Sequence, residues 1–220
     1  MRITRIETQK KARGRVNVYA DGEFLIGLGA ETLFRAGLRV GDEVSSALVD
    51  RLTDQESFLA AKTAALRLLS IRPRSEREIL DRLREKEFDE QSIAGVIGEL
   101  RQSGLVNDHA FACAYIRNAL TLRPLGEIPL RQKLLLLGVP RETVDEAIRL
   151  TLTESDLLAG ALQSARSYLR RLQRTPGNGD TPKFRQKIRT YLARRGYTWS
   201  TIAAVLTSLD VPQGEHTDDQ

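Results

Sequence analysis

Apolar residues follow two different rhythms along this chain. In the first 55 residues they alternate: Val16, Val18 and Ala20 share one side of an extended run, and Glu23-Phe24-Leu25-Ile26 returns after Asp21-Gly22. Alternation is the period of a half-buried strand, and Asp-Gly supplies the two positive-φ positions of a tight hairpin. Ile3 to Ile6 predicts a third strand, followed by a short helix over 30–36 and a turn at Gly41-Asp42. From about Gln55 onward the rhythm becomes i, i+3, i+4, i+7, which is the face of an amphipathic helix.

The helical part repeats itself. A shift of 51 residues lays Arg72-Pro73 on Arg123-Pro124 and Ile79, Leu83, Phe88 on Leu130, Leu134, Val139. A further shift of 58 carries these onto Ile188, Leu192, Tyr197. The helix after each of these turns keeps one face: Ile93, Val96, Ile97, Leu100, then Val144, Ala147, Ile148, Thr151, then Ile202, Val205, Leu206, Leu209. A third helix precedes each pair, over about 56–70, 108–121 and 155–173. Such periodicity marks a repeat protein, in which each unit completes its core by stacking on a neighbour.

Boundary signals agree with this division. Ser75-Glu76-Arg77-Glu78 has the form of a capping box, and Asp89, Asp108 and Thr198 are expected N-caps. Pro129 fits a first helical turn, where no intrahelical donor is lost. Gly138 and Gly196 stand at matching helix ends, where a left-handed residue closes the last turn. Thr175-Pro176-Gly177-Asn178-Gly179-Asp180 lengthens a loop in the third unit. The expected fold is mainly α: three tandem three-helix repeats in an elongated curved body, with a small N-terminal segment containing a β-hairpin. The segments are 1–55, 56–106, 107–153, 154–210 and an acidic tail, 211–220, expected to be disordered.

Charge refines the picture. The net charge of +5 is modest, but residues 161–209 hold ten Arg or Lys against Asp180 alone. Residues 1–15 hold six bases against Glu7, whereas 75–103 hold eight acids against five bases. A solvated face normally mixes signs, so a 49-residue stretch with one acid is the footprint of a polyanion partner. Aromatics at 5% argue against stacking as the main mode of nucleic-acid capture. A single cysteine forms no internal disulfide, no stretch is apolar enough to span a membrane, and the N-terminus has no secretory pattern. A cytoplasmic location and a monomer are expected.

Several of these residues also carry a resemblance. Ala64-Ala65-Leu66-Arg67-Leu68-Leu69-Ser70-Ile71-Arg72-Pro73-Arg74-Ser75-Glu76-Arg77-Glu78, Val96-Ile97 through Leu100, and Gly104-Leu105-Val106-Asn107-Asp108-His109-Ala110-Phe111-Ala112 are similar to the signature of the RecX family. The likeness covers about 56–209, and the hairpin region resembles the N-terminal extension of many members. The chain departs where members often have Asp-Asp, here Asn107-Asp108, and where they often have Gly, here Glu87. The resemblance implies a non-enzymatic, cytoplasmic regulator that binds the RecA recombinase filament on single-stranded DNA. Such a protein restrains filament growth, ATP hydrolysis, strand exchange in homologous recombination and the co-protease activity behind the SOS response to DNA damage.

Candidate contacts with DNA or the filament lie in the third unit. Arg166, Arg170 and Arg174 recur every four residues beside the Leu158, Leu162, Leu169 stripe. On the next helix Lys183, Lys187 and Arg194 fall on one flank of Phe184, Ile188, Tyr191 and Leu192, with Arg185 and Arg189 on the other. Arginine suits this work because its fork donates two bonds to a phosphate or carboxylate. Arg72, Arg123 and Asp108 are candidate structural or partner contacts. Tyr197 aligns with core positions, while Cys113 and His109, an i, i+4 pair without companions, make a poor metal site. No cofactor is expected: there is no P-loop, no complete dinucleotide fingerprint and, with two histidines, little general-base capacity. The rival reading is a helix-turn-helix transcription regulator. Its would-be recognition helix, 199–209, carries no Arg, Lys, Asn or Gln to read base edges.

Overall fold

The computed structural model describes residues 1–10, 14–173 and 181–209. Three strands, β1 (Ile3–Thr8), β2 (Arg15–Ala20) and β3 (Glu23–Gly29), form an antiparallel meander in the order β1-β2-β3. Asp21 and Gly22 both take positive φ, so the hairpin turn is of the kind its sequence demands. Ten helices follow among the described residues. They are α1 (Ala30–Ala36), α2 (Ser46–Ile71), α3 (Glu76–Arg84), α4 (Glu90–Gln102) and α5 (Asp108–Leu122). Then come α6 (Glu127–Leu136), α7 (Arg141–Thr151), α8 (Glu154–Gln173), α9 (Thr181–Arg194) and α10 (Trp199–Ser208). The chain divides into two compact units, Met1–Pro73 with Ile79–Val106, and Arg74–Glu78 with Asn107–Gln220.

In the first unit the alternating residues Val16, Val18, Ile26 and Leu28 turn one sheet face onto Leu52, Leu48 and Val49 of α2. This corrects the expected start of that helix. It begins at Ser46 rather than near 56, capped by the Ser45 hydroxyl, which accepts from the Leu48 amide. Its first turns pack on the sheet, and its later residues Ala61 and Ala65 pack on α3 and α4. Two partners on different sides leave no single apolar stripe to read. Buried Glu56 ties α2 to the sheet: one carboxylate oxygen accepts from the Gly29 amide (2.9 Å) and the Thr32 hydroxyl (2.6 Å), and the other pairs with Arg15 (3.2 Å).

The repeat found in the sequence is a repeat of burial. Ile79 and Leu83, Leu130 and Leu134, and Ile188 and Leu192 are all fully enclosed. First helices contribute alanine at the same place, Ala61 and Ala65 in the first repeat and Ala161 and Ala165 in the third, while the second has Ala112 followed by the larger Ile116. A residue without bulk lets helix axes approach closely, and the branched residues of the other two helices fill the space. Tyr197 is core, as its alignment requires.

The caps behave as their chemistry dictates, with one correction. Ser75 and Glu78 make the reciprocal box, the Ser75 hydroxyl accepting from the Glu78 amide (3.2 Å) and the Glu78 carboxylate from the Ser75 amide (3.3 Å). Asp89 and Thr198 cap α4 and α10. Asp108 does not cap α5: Asn107 does, accepting from Ala110. The Asp108 carboxylate instead accepts from the Glu76 amide (2.8 Å), serving the first turn of α3. Asn and Asp cap equally well, so adjacent candidates are indistinguishable by type alone.

Asp89 also receives the Ser57 hydroxyl of α2. That bond first, then the Ser92 amide and hydroxyl, holds its carboxyl at about 2, below the ordinary 3.8. The stabilisation is complete above pH ~4 and is lost as pH falls through ~2. Because the group is exposed the effect is small. Acid titration of wild type against Asp89→Asn, followed by circular dichroism, should show the excess loss in wild type confined to that window.

Two joints within the second unit repeat one geometry. At the first, the Ser75 hydroxyl donates to the Leu137 carbonyl at the end of α6, and Arg77 lies against Gly138. At the second, the Gly126 amide donates to the Arg195 carbonyl at the end of α9 (2.9 Å), and Pro129 lies against Gly196. Gly138 (φ 81°) and Gly196 (φ 76°) are left-handed, and a Cβ there would fall 2.3 Å from Arg77 Cβ or 2.2 Å from Pro129 Cδ. Glu87 holds the matching position at the end of α3, with φ 62°, and is exposed. No earlier repeat presses a helix start onto it, so the steric demand for glycine is gone and only the dihedral demand remains. Glu87→Gly should therefore stabilise the protein by roughly 0.5–1 kcal/mol in urea titration, the left-handed cost outweighing glycine's entropy.

Candidate polyanion-binding face

Positive charge from the two basic regions is used differently. In the N-terminal region, the Arg2 guanidinium donates to the Gly41 carbonyl (3.0 Å) and Arg5 lies over the Tyr19 ring (4.1 Å) while pairing with Glu7. Arg15 is committed to Glu56. These are internal ties. Lys11 and Arg13 lie outside the described residues.

The second region is built on α8 and α9. Helix α8 starts with a box that the sequence reading missed: the Thr153 hydroxyl accepts from the Asp156 amide (3.1 Å) and the Asp156 carboxylate from the Thr153 amide (3.1 Å). Leu157, Leu158, Ala161, Leu162, Ala165 and Leu169 then bind the helix to the core of this repeat, which leaves the arginines outward. Arg166 and Arg170 are exposed and line one shallow hollow with Ala159, Leu162 and Gln163. Arg170 also donates to the Ser167 hydroxyl (3.2 Å). Arg174 lies outside the described residues, as does the Lys183 side chain.

Lys187 and Arg194 meet in a separate cleft between α8 and α9, as their shared helix flank requires. The same cleft holds Arg171 and two aromatic rings, Tyr168 and Tyr191, together with Gln186 and Thr190. Its volume is about 430 Å³, and no carboxylate is among the described residues that line it. The tyrosine rings stack with centroids 4.2 Å apart and planes 3° from parallel. Arg171 lies over Tyr168 (5.2 Å) and Arg195 over Tyr191 (5.0 Å).

Arg189 turns elsewhere, over the exposed ring of Trp199 (4.9 Å), and donates to the Gln186 side chain (3.3 Å). Arg185, on the same flank of α9, is half-buried. The predicted set is therefore not one stripe. It separates into the Arg166–Arg170 hollow, the Lys187–Arg194 cleft and the Arg189–Trp199 contact. Arg171, Arg195, Tyr168 and the role of Tyr191 were not found from the sequence.

The remaining candidates are at helix ends. The Arg72 guanidinium donates to the Pro73 carbonyl (2.9 Å), a local bond. Arg123 is exposed at the end of α5, and it is Arg195 that reaches the neighbouring Pro124 carbonyl (2.9 Å). Burial raises the phenol of Tyr197 above its ordinary value, with the Ser164 hydroxyl and the Arg195 charge pulling the other way. Cys113 is buried, with its sulfur 3.9 Å from His109 Nε2, and no metal-holding cluster exists among the described residues. No helix there is long and apolar enough to cross a membrane.

Four family models tile the chain. That of the regulatory protein RecX N-terminal domain matches residues 1–45, and those of the first, second and third RecX three-helix domains match 61–100, 107–148 and 161–206. The chain belongs to the RecX family. A regulatory protein RecX of Levilactobacillus brevis is 34% identical over 97% of this chain and 78% of its own. One from Clostridioides difficile is 31% identical over 94% and 95%. A crystal structure of regulatory protein RecX superposes with a TM-score of 0.68 at 25% identity, covering 93% of this chain and 98% of the other. A RecX from Lactobacillus salivarius, 22% identical, shares the fold with a TM-score of 0.62 over 72% and 99%. The basic cleft thus falls within the third RecX three-helix domain, and the relatives bear the name of a regulatory protein rather than of an enzyme.

Proposed function

We propose that this RecX protein restrains the RecA recombinase by lodging on its filament over single-stranded DNA, in the cytoplasm, as a monomer without cofactor. The contacts are multivalent and largely polar. The observation that carries the reading is the third helical domain. There ten cations face one acid over 161–209, and described members of that set line open hollows on α8 and α9. Such a surface attracts phosphates or an acidic groove and releases counterions on binding. Restraint of ATP hydrolysis, strand exchange and the SOS co-protease follows from occupying the filament, with no chemistry of its own.

The helix-turn-helix rival gains nothing from the structure. Helix α10 presents Trp199 and small hydroxyl residues but none of the Arg, Lys, Asn or Gln that make bidentate contacts with base edges.

The test is the DNA-dependent ATPase of RecA. Substoichiometric RecX protein should slow it, and a variant with Arg166, Arg170, Lys183 and Lys187 neutralised, still folded by circular dichroism, should lose the effect. If five phosphates are contacted, affinity for single-stranded DNA should fall with salt at a log–log slope of about −3.5. Undiminished restraint by the variant, or tight sequence-selective duplex binding by the isolated protein, would overturn the reading.

A further inference from the structure

Several exposed apolar side chains sit at the closing ends of helices: Ile71 ends α2, Leu122 ends α5, Leu136 ends α6 and Leu150 is one residue from the end of α7. Each is aliphatic, and surface residues scattered singly in this way need no partner. A hollow of about 590 Å³ beside α1 and α2 is committed internally, with Arg15 paired to Glu56 and Arg35 to Glu31. Trp199 differs in kind. It is the single tryptophan of the chain, it opens α10, and it is 63% exposed. Tryptophan is highly buried on average, so an indole left this open is a feature to account for.

Two helices position the ring. The Thr198 hydroxyl accepts from the Thr201 amide (3.3 Å), which sets the start of α10, and Ile202, Val205 and Leu206 anchor that helix in the core of its repeat. From α9, itself anchored by buried Ile188 and Leu192, Arg189 lies over the indole at 4.9 Å. Its guanidinium is steadied by donating to the Gln186 side chain (3.3 Å). The cation therefore takes the ring face toward α9, and the opposite face is the one in solvent. An aromatic ring with arginine contributing a cation–π contact, set in a basic surface, is the combination that captures unpaired bases. Ring and cation are already in place, so a planar ligand adds a third layer at little ordering cost. Charge then selects which planar ligand arrives. Helix α10 carries no charged residue, while residues 161–209 around it hold ten cations to one acid. A flat group borne on a polyanion is drawn there in preference to one on a neutral or cationic partner.

We propose that the outer face of Trp199, backed by Arg189, stacks one unpaired base of a single-stranded nucleic acid. This rests on the reading that the third helical domain meets single-stranded DNA, and adds to its charge a contact with the base. The indole offers a π-face and one N–H donor, so it favours unpaired bases without reading their identity. A duplex keeps its base faces covered by one another. One such platform agrees with the scarcity of aromatics: charge holds the strand, and the ring supplies the preference for single strands.

The decisive comparison uses the full RecX chain alone, without RecA, and two probes of equal charge: an oligothymidylate and an abasic oligomer of the same length. Because the chain has one tryptophan, its intrinsic fluorescence reports Trp199 alone. The oligothymidylate should quench that emission and bind about 10-fold more tightly than the abasic oligomer, the worth of stacking one base. The abasic oligomer should bind without quenching. Trp199→Leu should erase the preference while leaving abasic binding unchanged, and Trp199→Phe should keep most of it. The ring lies at the surface, so both variants should retain the wild-type circular dichroism. Equal affinity for the two probes, equal quenching by both, or a preference that persists in Trp199→Leu would overturn the assignment. Quenching that appears only when RecA is added would give the ring to a protein contact and overturn it as well. Restraint of the RecA ATPase is read separately. A Trp199-dependent preference without restraint leaves the platform standing, and restraint with both probes bound equally removes the platform alone. Binding of neither probe removes the single-strand reading and the platform with it.

Discussion

Replacing Gly196 by alanine is expected to cost about 3 kcal/mol, read as a fall in the urea midpoint with an unchanged slope. Two costs combine. A non-glycine residue in the left-handed region is disfavoured by roughly 1–2 kcal/mol, and overpacking a rigid contact costs roughly 1–3 kcal/mol. The contact is rigid because the new methyl would meet the Pro129 ring, at 2.2 Å from Cδ and 2.4 Å from Cγ, and a proline ring in a helical turn cannot rotate aside. Gly104 is the control. It is equally left-handed (φ 70°) but has nothing within 4 Å of a Cβ, so Gly104→Ala should show the dihedral cost alone. Equal losses in the two variants would remove the steric part of the account. Gly126 should be as sensitive as Gly196, since its Cβ would fall 1.9 Å from the Gly196 carbonyl oxygen.

The triple variant Arg171→Gln, Lys187→Gln, Arg194→Gln is expected to bind single-stranded DNA about 100-fold more weakly at about 0.1 M salt. Each phosphate contact contributes about 0.7 to the log–log salt slope on a single strand, so three contacts contribute about 2.1. The slope should flatten from about −3.5 to about −1.4, and the affinity difference should shrink as salt rises. Glutamine keeps much of the side-chain length and hydrogen-bonding capacity, so the loss reports charge. The pair Arg166→Gln, Arg170→Gln, in the other hollow, should remove only about 1.4 of the slope, roughly 25-fold at the same salt. Fluorescence anisotropy across a salt series measures both. An unchanged slope in the triple variant would place the DNA contact away from the α8–α9 cleft.

Much of the fold could be read from the chain because the repeat imposes the same physical demand several times. Ile79, Leu130 and Ile188 fill one kind of space, and comparing them filters out the local noise that obscures any single helix. Where an element serves two purposes the reading failed. Helix α2 packs Leu48 and Leu52 on the sheet and Ala61 and Ala65 on helices, so no one period describes it.

The candidate face was legible as charge but not as architecture. Spacing on one helix correctly grouped Lys187 with Arg194 and separated them from Arg189. It could not show that Arg171 and Tyr168, from α8, complete the same cleft, because side-chain pairing between helices depends on how those helices pack. Tyr191 looked like an ordinary member of an apolar stripe. What distinguishes it is a partner across the interhelical groove that no spacing rule encodes.

The paired joints have a consequence for anyone wishing to lengthen or shorten such a chain. A grafted module must begin its middle helix with a residue slim enough to reach a carbonyl, as serine does at 75 and glycine at 126, and must end that helix in glycine if another module precedes it. The leading module alone is exempt, and glutamate at 87 already exercises that freedom. Modularity here is governed by a short grammar at the splice points, and a splice that ignores it would fail however well its hydrophobic stripe matched.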